Sequence, residues 1–312
     1  MSAEPTPTPA QQRPAAAAKP KVVYVMGAGR CGSTILGVAL GNCEGMFFAG
    51  ELDRWLPNDG QPMLGGTERT SFWSDVRGGA EIEPQLAGTR AKDLIERSST
   101  PLRLGHLAAR RRLRPRFRRS LQRLYEAIAA RAGASYVVES SHFPLRAREL
   151  QKLDGVETYL LFLVRDPRSS IVSFTRTVPR NDAAARRRRI LTTNLDLWAT
   201  HVLGTFVFLR HPRERRLFMR YEDLVSDPQG VLRQVLEMLG SDSPLPDLSS
   251  LRTGLAIDGN RILLDETVAL RAHRPAPVRG SRLTELLQLP INRVLARLRP
   301  VAAASPQQHP SS

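Results

Sequence analysis

Short apolar runs recur along the chain and predict β-strands. They lie at residues 21–26, 46–49, 135–140, 158–164 and 216–222. The run 158–164, TYLLFLV, is almost continuously apolar, as expected for a central strand that helices cover on both faces. The other runs are rich in Val, Tyr and Phe, which favour strands.

Apolar residues at helical spacing follow most of these runs. They predict helices over about 33–42, 116–132, 145–153 and 190–209, and one more with an apolar stripe at Val231, Val235, Leu236 and Leu239. Gly133 and Gly240 suit helix ends, while Asp166 and Pro167 suit the start of a helix after the run 158–164. The alternation predicts an α/β fold, a doubly wound, mostly parallel sheet flanked by helices.

Three stretches depart from this alternation. Residues 1–20 and 301–312 are rich in Pro, Ala and Ser, which predicts disordered tails. Residues 57–104 are irregular, with weak helical periodicity only near 90–97. We therefore predict a single domain over residues 21–300 that carries a variable insertion at residues 57–130.

Composition narrows the class of protein. The 312 residues carry a formal net charge of +16, with arginine runs at 110–119 and 186–189. Solvated helix faces explain such runs as well as attraction of a polyanion or weak association with an anionic membrane. The runs contain only one aromatic residue, Phe117, so a specific nucleic-acid partner is not expected. Two cysteines, no secretory signal and no long apolar run favour a cytoplasmic protein.

The stretch VVYVMGAGRCGSTILGVAL, residues 22–40, combines a strand, a glycine-rich turn and a helix. The spacing from Gly27 to Gly32 fits a phosphate-binding P-loop, except that Ser33 stands where that loop has lysine. Backbone N–H groups at the helix start can hold an anion, which Arg30 and the Thr34 hydroxyl can also bind. Without the lysine, this loop suits an anion other than a nucleoside triphosphate.

Three segments together resemble the sulfotransferases that use 3′-phosphoadenosine 5′-phosphosulfate (PAPS), in particular bacterial relatives of the tyrosylprotein type. GAGRCGSTIL resembles their 5′-phosphosulfate loop, RDPRSSIVS supplies an arginine and a serine eight residues apart, and RYEDLVSDP is also typical. Their order spans residues 22–228. The resemblance implies a P-loop-like fold, PAPS as co-substrate, no metal, and a hydroxyl of a small molecule, carbohydrate or peptide as acceptor. The insertion 57–130 matches no segment of this pattern, and we expect it to shape the acceptor pocket.

The resemblance also implies roles for single residues. Glu51, in AGELDRW, corresponds to the catalytic base, with Asp53 as the second candidate. Arg165 and Ser173 correspond to the ligands of the 3′-phosphate. Arg30 is a catalytic candidate because its fixed charge and planar donors suit a phosphate. The predicted donor-binding residues are Gly29, Arg30, Cys31, Gly32, Ser33, Thr34, Arg165, Ser173, Tyr221, Asn260 and Arg261.

Three positions differ from the family's pattern. His142 stands where a lysine assists the leaving group; protonated it could replace the lysine, and neutral it could only donate a hydrogen bond. Cys31 replaces a serine, either as an isosteric change, which we favour, or as a thiol whose pKa falls beside Arg30. The segment GLAIDGNRILL lacks the proline that usually separates Asn260 from Arg261.

Two other functions remain open from the sequence. A P-loop kinase or nucleotide hydrolase that has lost its lysine would bind Mg·ATP. A non-catalytic module would bind 3′-phosphoadenosine 5′-phosphate (PAP) without transferring sulfate. The oligomeric state is not predicted.

Overall fold

A five-stranded parallel sheet forms the centre of the chain in this computed structural model, which describes residues 19–81, 83, 86, 92–97, 104–179, 181–274 and 282–298. The strand order is β2-β3-β1-β4-β5. The strands are β1 (Lys21–Gly27), β2 (Met46–Gly50), β3 (Tyr136–His142), β4 (Glu157–Val164) and β5 (Arg216–Arg220). The predicted parallel α/β sheet is confirmed. A short antiparallel ribbon of β6 (Leu251–Arg252) and β7 (Thr267–Val268) lies outside it.

Helices flank the sheet. They are α1 (Ser33–Gly41), α2 (Thr67–Ala80), α3 (Leu107–Ala132), α4 (Pro144–Leu150), α5 (Pro167–Thr175), α6 (Ala183–Leu209), α7 (Tyr221–Ser226), α8 (Pro228–Leu239) and α9 (Arg282–Ala296). Within the part of the chain that is described, no helix is both long and apolar enough to cross a membrane.

Alternating side chains of β1 divide the core into two layers. Val22, Tyr24 and Met26 pack with residues of α2, α3, α4, α6 and α9. Val23 and Val25 point to the other face and pack with α1, α7 and α8. All five side chains are fully buried, which stabilises the fold by roughly 1.5–3 kcal/mol for each large apolar group.

Residues 57–130, the predicted insertion, contain more helix than their sequence predicts. Helix α2 lies inside the stretch predicted as irregular, because Phe72, Trp73 and Val76 form one buried face despite the glycines nearby. Helix α3 begins nine residues before the predicted start and continues through Pro115. Tertiary contacts outweigh the hydrogen bond that proline removes.

Salt bridges explain much of the arginine run on α3. Arg114 Nε lies 3.2 Å from Glu149 Oε1, and Arg118 Nη2 lies 2.7 Å from Glu149 Oε2. Glu149 is on α4 and its side chain is almost fully buried. Much of this run therefore fastens α3 to its neighbours and does not form a free polyanion site.

Helix α6 also begins earlier than predicted, at Ala183 and not near 190. The Asp182 side chain caps it by accepting the Ala185 N–H at 2.8 Å. The predicted tails, apart from Lys19 and Pro20, lie outside the described residues.

Candidate active site

One cavity of about 1190 Å³ opens where the carboxyl ends of the central strands meet. This is the switch point of the sheet, since β2 and β3 lie on one side of β1 and β4 and β5 lie on the other. The cavity collects nearly all of the predicted site residues: Gly29, Arg30, Gly32, Ser33, Thr34, Glu51, Asp53, His142, Arg165, Ser173, Tyr221, Asn260 and Arg261. Cys31 is the exception.

The loop after β1 presents the start of α1 to the cavity. Its N-cap residue Gly32 has φ 98°, and Arg30 has φ 67°, so both adopt the left-handed conformation that non-glycine residues rarely take. Glycine has no side chain to cap the helix, so no N-cap side chain blocks an anion from the start of α1. Ser33 and Thr34 add hydroxyl groups at the same place.

Cys31 turns away from the cavity. It is 1% exposed, and its N–H donates to the carbonyl of Ala28 at 3.2 Å. Burial raises the pKa of the thiol to about 11, so the alternative of a lowered thiol pKa beside Arg30 is wrong. The isosteric interpretation stands, since Cys31 acts as a small apolar residue under the loop.

Arg165 is held in place by the loop and by a tyrosine. Its Nη1 donates to the carbonyl of Arg30 at 3.0 Å, and its Cζ lies 4.3 Å from the ring centre of Tyr221. Its Nε is buried and has no hydrogen-bond partner within the described residues. The neighbouring Asp166 pairs with Arg168, at 3.2 Å, and not with Arg165. The guanidinium is thus fixed in position, with a donor left for an anion, and Ser173 lines the same cavity.

Glu51 follows β2 and opens onto the cavity. Its side chain is 19% exposed, whereas that of Asp53 is 1% exposed. Arg54 Nε lies 3.9 Å from Glu51 Oε2 but only 3.3 Å from Asp258 Oδ2, so its closer partner is Asp258. Of the two candidate bases, Glu51 is the more accessible to an acceptor.

The C-terminal segment closes over the end of β2. The Glu51 N–H donates to the Asp258 carbonyl at 2.9 Å, and the Ile257 N–H donates to the Ala49 carbonyl at 3.0 Å. A Cβ on Gly50 would lie 2.4 Å from the Asp258 carbonyl oxygen, so glycine permits this approach. These contacts place Asn260 and Arg261 at the cavity, as the resemblance implies.

A buried ionic cluster supports the opposite wall. Arg146, 1% exposed on its side chain, pairs with Glu139 and Glu96. Burial raises the pKa of Glu96 to about 7. The Ser141 hydroxyl donates to Glu139 and accepts the N–H of Asp53 at 3.0 Å. The cluster therefore ties the turn after Glu51 to the end of β3, where His142, with φ 60°, reaches the cavity.

Several lining residues carry no signal in the sequence, among them Arg54, Arg97, Asp196 and Arg271. They belong to different elements, and only the fold brings them together. The cavity lining contains six arginines and three carboxylates, an excess of positive charge that favours an anionic ligand.

The profile of the sulfotransferase family matches residues 20–245, which is most of the chain and includes the loop, Glu51, His142, Arg165 and Tyr221. The chain belongs to the sulfotransferase family. No curated protein matches this sulfotransferase in sequence.

Solved structures agree with the fold of this sulfotransferase. The sulfotransferase domain from the curacin biosynthetic pathway is 18% identical with a TM-score of 0.52, over 88% of this chain and 98% of that one. The sulfotransferase domain of the Synechococcus PCC 7002 olefin synthase is 19% identical with a TM-score of 0.51, over 92% of this chain and 98% of that one. Sulfotransferase STF9 from Mycobacterium avium is 13% identical with a TM-score of 0.51, over 91% of this chain and 77% of that one.

Membership of the family implies PAPS as co-substrate. The residues present fit such a donor in three respects: the uncapped start of α1, the partnerless Nε of Arg165, and the excess of arginine in the lining.

Proposed function

We propose that this sulfotransferase moves the sulfuryl group of PAPS to a hydroxyl of a small-molecule, carbohydrate or peptide acceptor. The observation that supports the proposal is that one cavity is lined both by Arg30, Ser33 and Thr34 of the loop and by Arg165 and Ser173, two sets of side chains that can each bind an anion. PAPS offers two anionic ends, a 5′-phosphosulfate and a 3′-phosphate. ATP lacks the second.

Each residue has a defined task in this proposal. Glu51 takes the proton of the acceptor hydroxyl as the acceptor oxygen bonds to sulfur. The bond between sulfur and the 5′-phosphate oxygen breaks, and PAP leaves with that electron pair. Arg30 and the N–H groups of α1 stabilise the charge on the transferring and leaving groups. His142 hydrogen-bonds to the leaving oxygen.

Transfer of labelled sulfate from PAPS tests the base. Glu51→Gln should lose acceptor sulfation by at least a hundredfold and still bind PAP, because only proton removal is lost. Glu237→Gln, on the exposed side of α8, is the matched control and should retain full transfer. Full transfer by Glu51→Gln would assign the base elsewhere, with Asp53→Asn as the next variant.

The role of His142 is tested by its pH profile. If a protonated histidine supplies the charge, transfer by the natural protein falls as the pH is raised, and His142→Lys stays active at the higher pH. Equal profiles for the two proteins would leave His142 as a neutral hydrogen-bond donor.

Ligand binding separates the two alternative functions. PAP should raise the melting temperature more than AMP or Mg·ATP does, and increasingly with concentration. Stabilisation by Mg·ATP and not by PAP would favour a kinase or hydrolase. Tight binding of PAP without transfer to any acceptor would favour a binding module.

A further inference from the structure

Helix α6 carries an apolar stripe on its solvent side. Its members are Leu191, Leu195, Trp198, Phe206 and Leu209, each between 47% and 59% exposed. At 100° per residue they fall within about 80° of the helix circumference, and they extend over about 27 Å of its length. The opposite face of α6 packs into the core through Leu197, Val207 and Phe208. Large apolar side chains exposed in a row on one side of a helix are typical of a binding face.

Basic residues flank the stripe at both ends. Arg187 and Arg188 precede it, are exposed, and lie on the same side of α6. At the other end Phe206 lines a groove of about 650 Å³ together with Lys19, Arg148, Lys152, Arg210 and Arg215. Asp154 is the one carboxylate of that lining, and Glu157 lies 3.8 Å from Arg215. This cationic groove continues the stripe because Arg210 lies over the Phe206 ring at 3.4 Å.

We infer that the apolar stripe and the basic residues at its ends dock on the surface of an anionic phospholipid bilayer. Helices that lie in a membrane interface typically carry leucine and aromatic side chains on one face, with arginine around them. Phosphate headgroups supply negative charge to a groove in which basic residues outnumber carboxylates. The inference rests on the fold and not on sulfuryl transfer.

Charge argues against a second copy of the chain as the occupant. An antiparallel pair of α6 helices would place Arg187 beside Arg210 of the other copy at both ends, and a parallel pair would place each arginine beside itself. Both arrangements bring like charges together. The terminal segments are also unsuited to pack on the apolar stripe. Residues 1–18 and 299–312, outside the described part of the chain, contain only Met1 and Val301 as large apolar residues.

Vesicle flotation tests the inference with the full chain. The natural protein should float with vesicles of phosphatidylcholine and phosphatidylglycerol and not with phosphatidylcholine alone. Leu195→Glu with Trp198→Glu should reduce flotation at least tenfold. Met63→Glu with Leu264→Glu is the matched control, because both residues are exposed, apolar and outside α6, and it should float normally. Each of Arg187→Glu and Arg188→Glu should weaken binding roughly fivefold or more, in a salt-dependent manner.

Tryptophan fluorescence gives a second readout that does not depend on the double variant folding. Trp55 and Trp73 are buried, at 1% and 0% exposed, so Trp198 is the residue that lipid can reach. Brominated phosphatidylcholine in anionic vesicles should quench part of the emission of the natural protein, and Trp198→Phe should remove that quenching.

Three results would overturn the inference. They are no flotation with anionic vesicles, equal flotation of the natural protein and the Leu195/Trp198 variant, and a dimer in sedimentation that the same variant converts to monomer. Loss of sulfate transfer in any of these proteins would bear on the proposed function and leave the docking result unchanged.

Discussion

The substitution Gly32→Ala tests the geometry of the donor loop. Gly32 has φ 98°, and a Cβ built there lies 2.4 Å from Cδ2 of Tyr221. The left-handed conformation costs a non-glycine residue about 1–2 kcal/mol, and the overpacking adds about 1–3 kcal/mol. We therefore expect the free energy of unfolding to fall by about 2–5 kcal/mol, measured by urea denaturation.

The matched control is Gly133→Ala. Gly133 has a similar positive φ of 61°, and nothing lies within 4 Å of a Cβ there, so only the conformational cost of about 1–2 kcal/mol applies. The loss of unfolding free energy in Gly32→Ala beyond that in Gly133→Ala measures the cost of the clash with the Tyr221 ring. Because the Tyr221 ring supports Arg165, Gly32→Ala should also weaken PAP binding, and Gly133→Ala should not.

Equal loss of stability in the two alanine variants would refute this reasoning, as would unchanged PAP affinity in Gly32→Ala. The double substitution Gly32→Ala with Tyr221→Ala gives a further check. Removing the ring relieves the overpacking, so the alanine at position 32 should cost less in that background than in the natural protein.

Three further predictions concern buried groups. Cys31 should react with a thiol reagent only after unfolding, because it is 1% exposed and its pKa is raised to about 11; prompt labelling of the folded protein would contradict this. His201 has its pKa lowered to about 4 by burial, so the folded state excludes a proton that the unfolded state binds below pH ~6.5. As the pH falls from ~6.5 to ~4, the free energy of unfolding of the natural protein should fall by about 3 kcal/mol relative to that of His201→Leu. A difference in free energy between the two proteins that does not change with pH would refute the lowered pKa. Arg146→Met should lower the free energy of unfolding by about 3–5 kcal/mol, because it leaves Glu96 and Glu139 unpaired. Arg148→Met, on the exposed side of α4, should lower it by under ~1 kcal/mol.

The parts of the site that are local in sequence could be predicted from it. The loop around Arg30, the residues after β2 and the start of α5 each follow a strand directly, and parallel strands bring their carboxyl ends together. The strand–helix alternation therefore predicted both the sheet and the edge at which Glu51 and Arg165 line one cavity.

The parts that depend on tertiary packing could not be predicted. Asp196 and Arg97 reach the cavity from α6 and the insertion, and no local pattern links them. Helix α2 contains weak helix formers and is stabilised by burying Phe72 and Trp73. The thiol pKa of Cys31 depends on which way its side chain turns, and the sequence indicated only its position at a helix start.

Titration of PAP against AMP tests the central claim most directly. These ligands differ by the 3′-phosphate, which we assign to Arg165 and Ser173. The natural protein should bind PAP at least tenfold more tightly than AMP, since hydrogen bonds to charged groups contribute about 1.5–3 kcal/mol each. Arg165→Ala should lose most of that preference, while Arg233→Ala, on the exposed side of α8, should keep it. Equal affinity of the natural protein for PAP and AMP, or a preference unchanged in Arg165→Ala, would contradict the account.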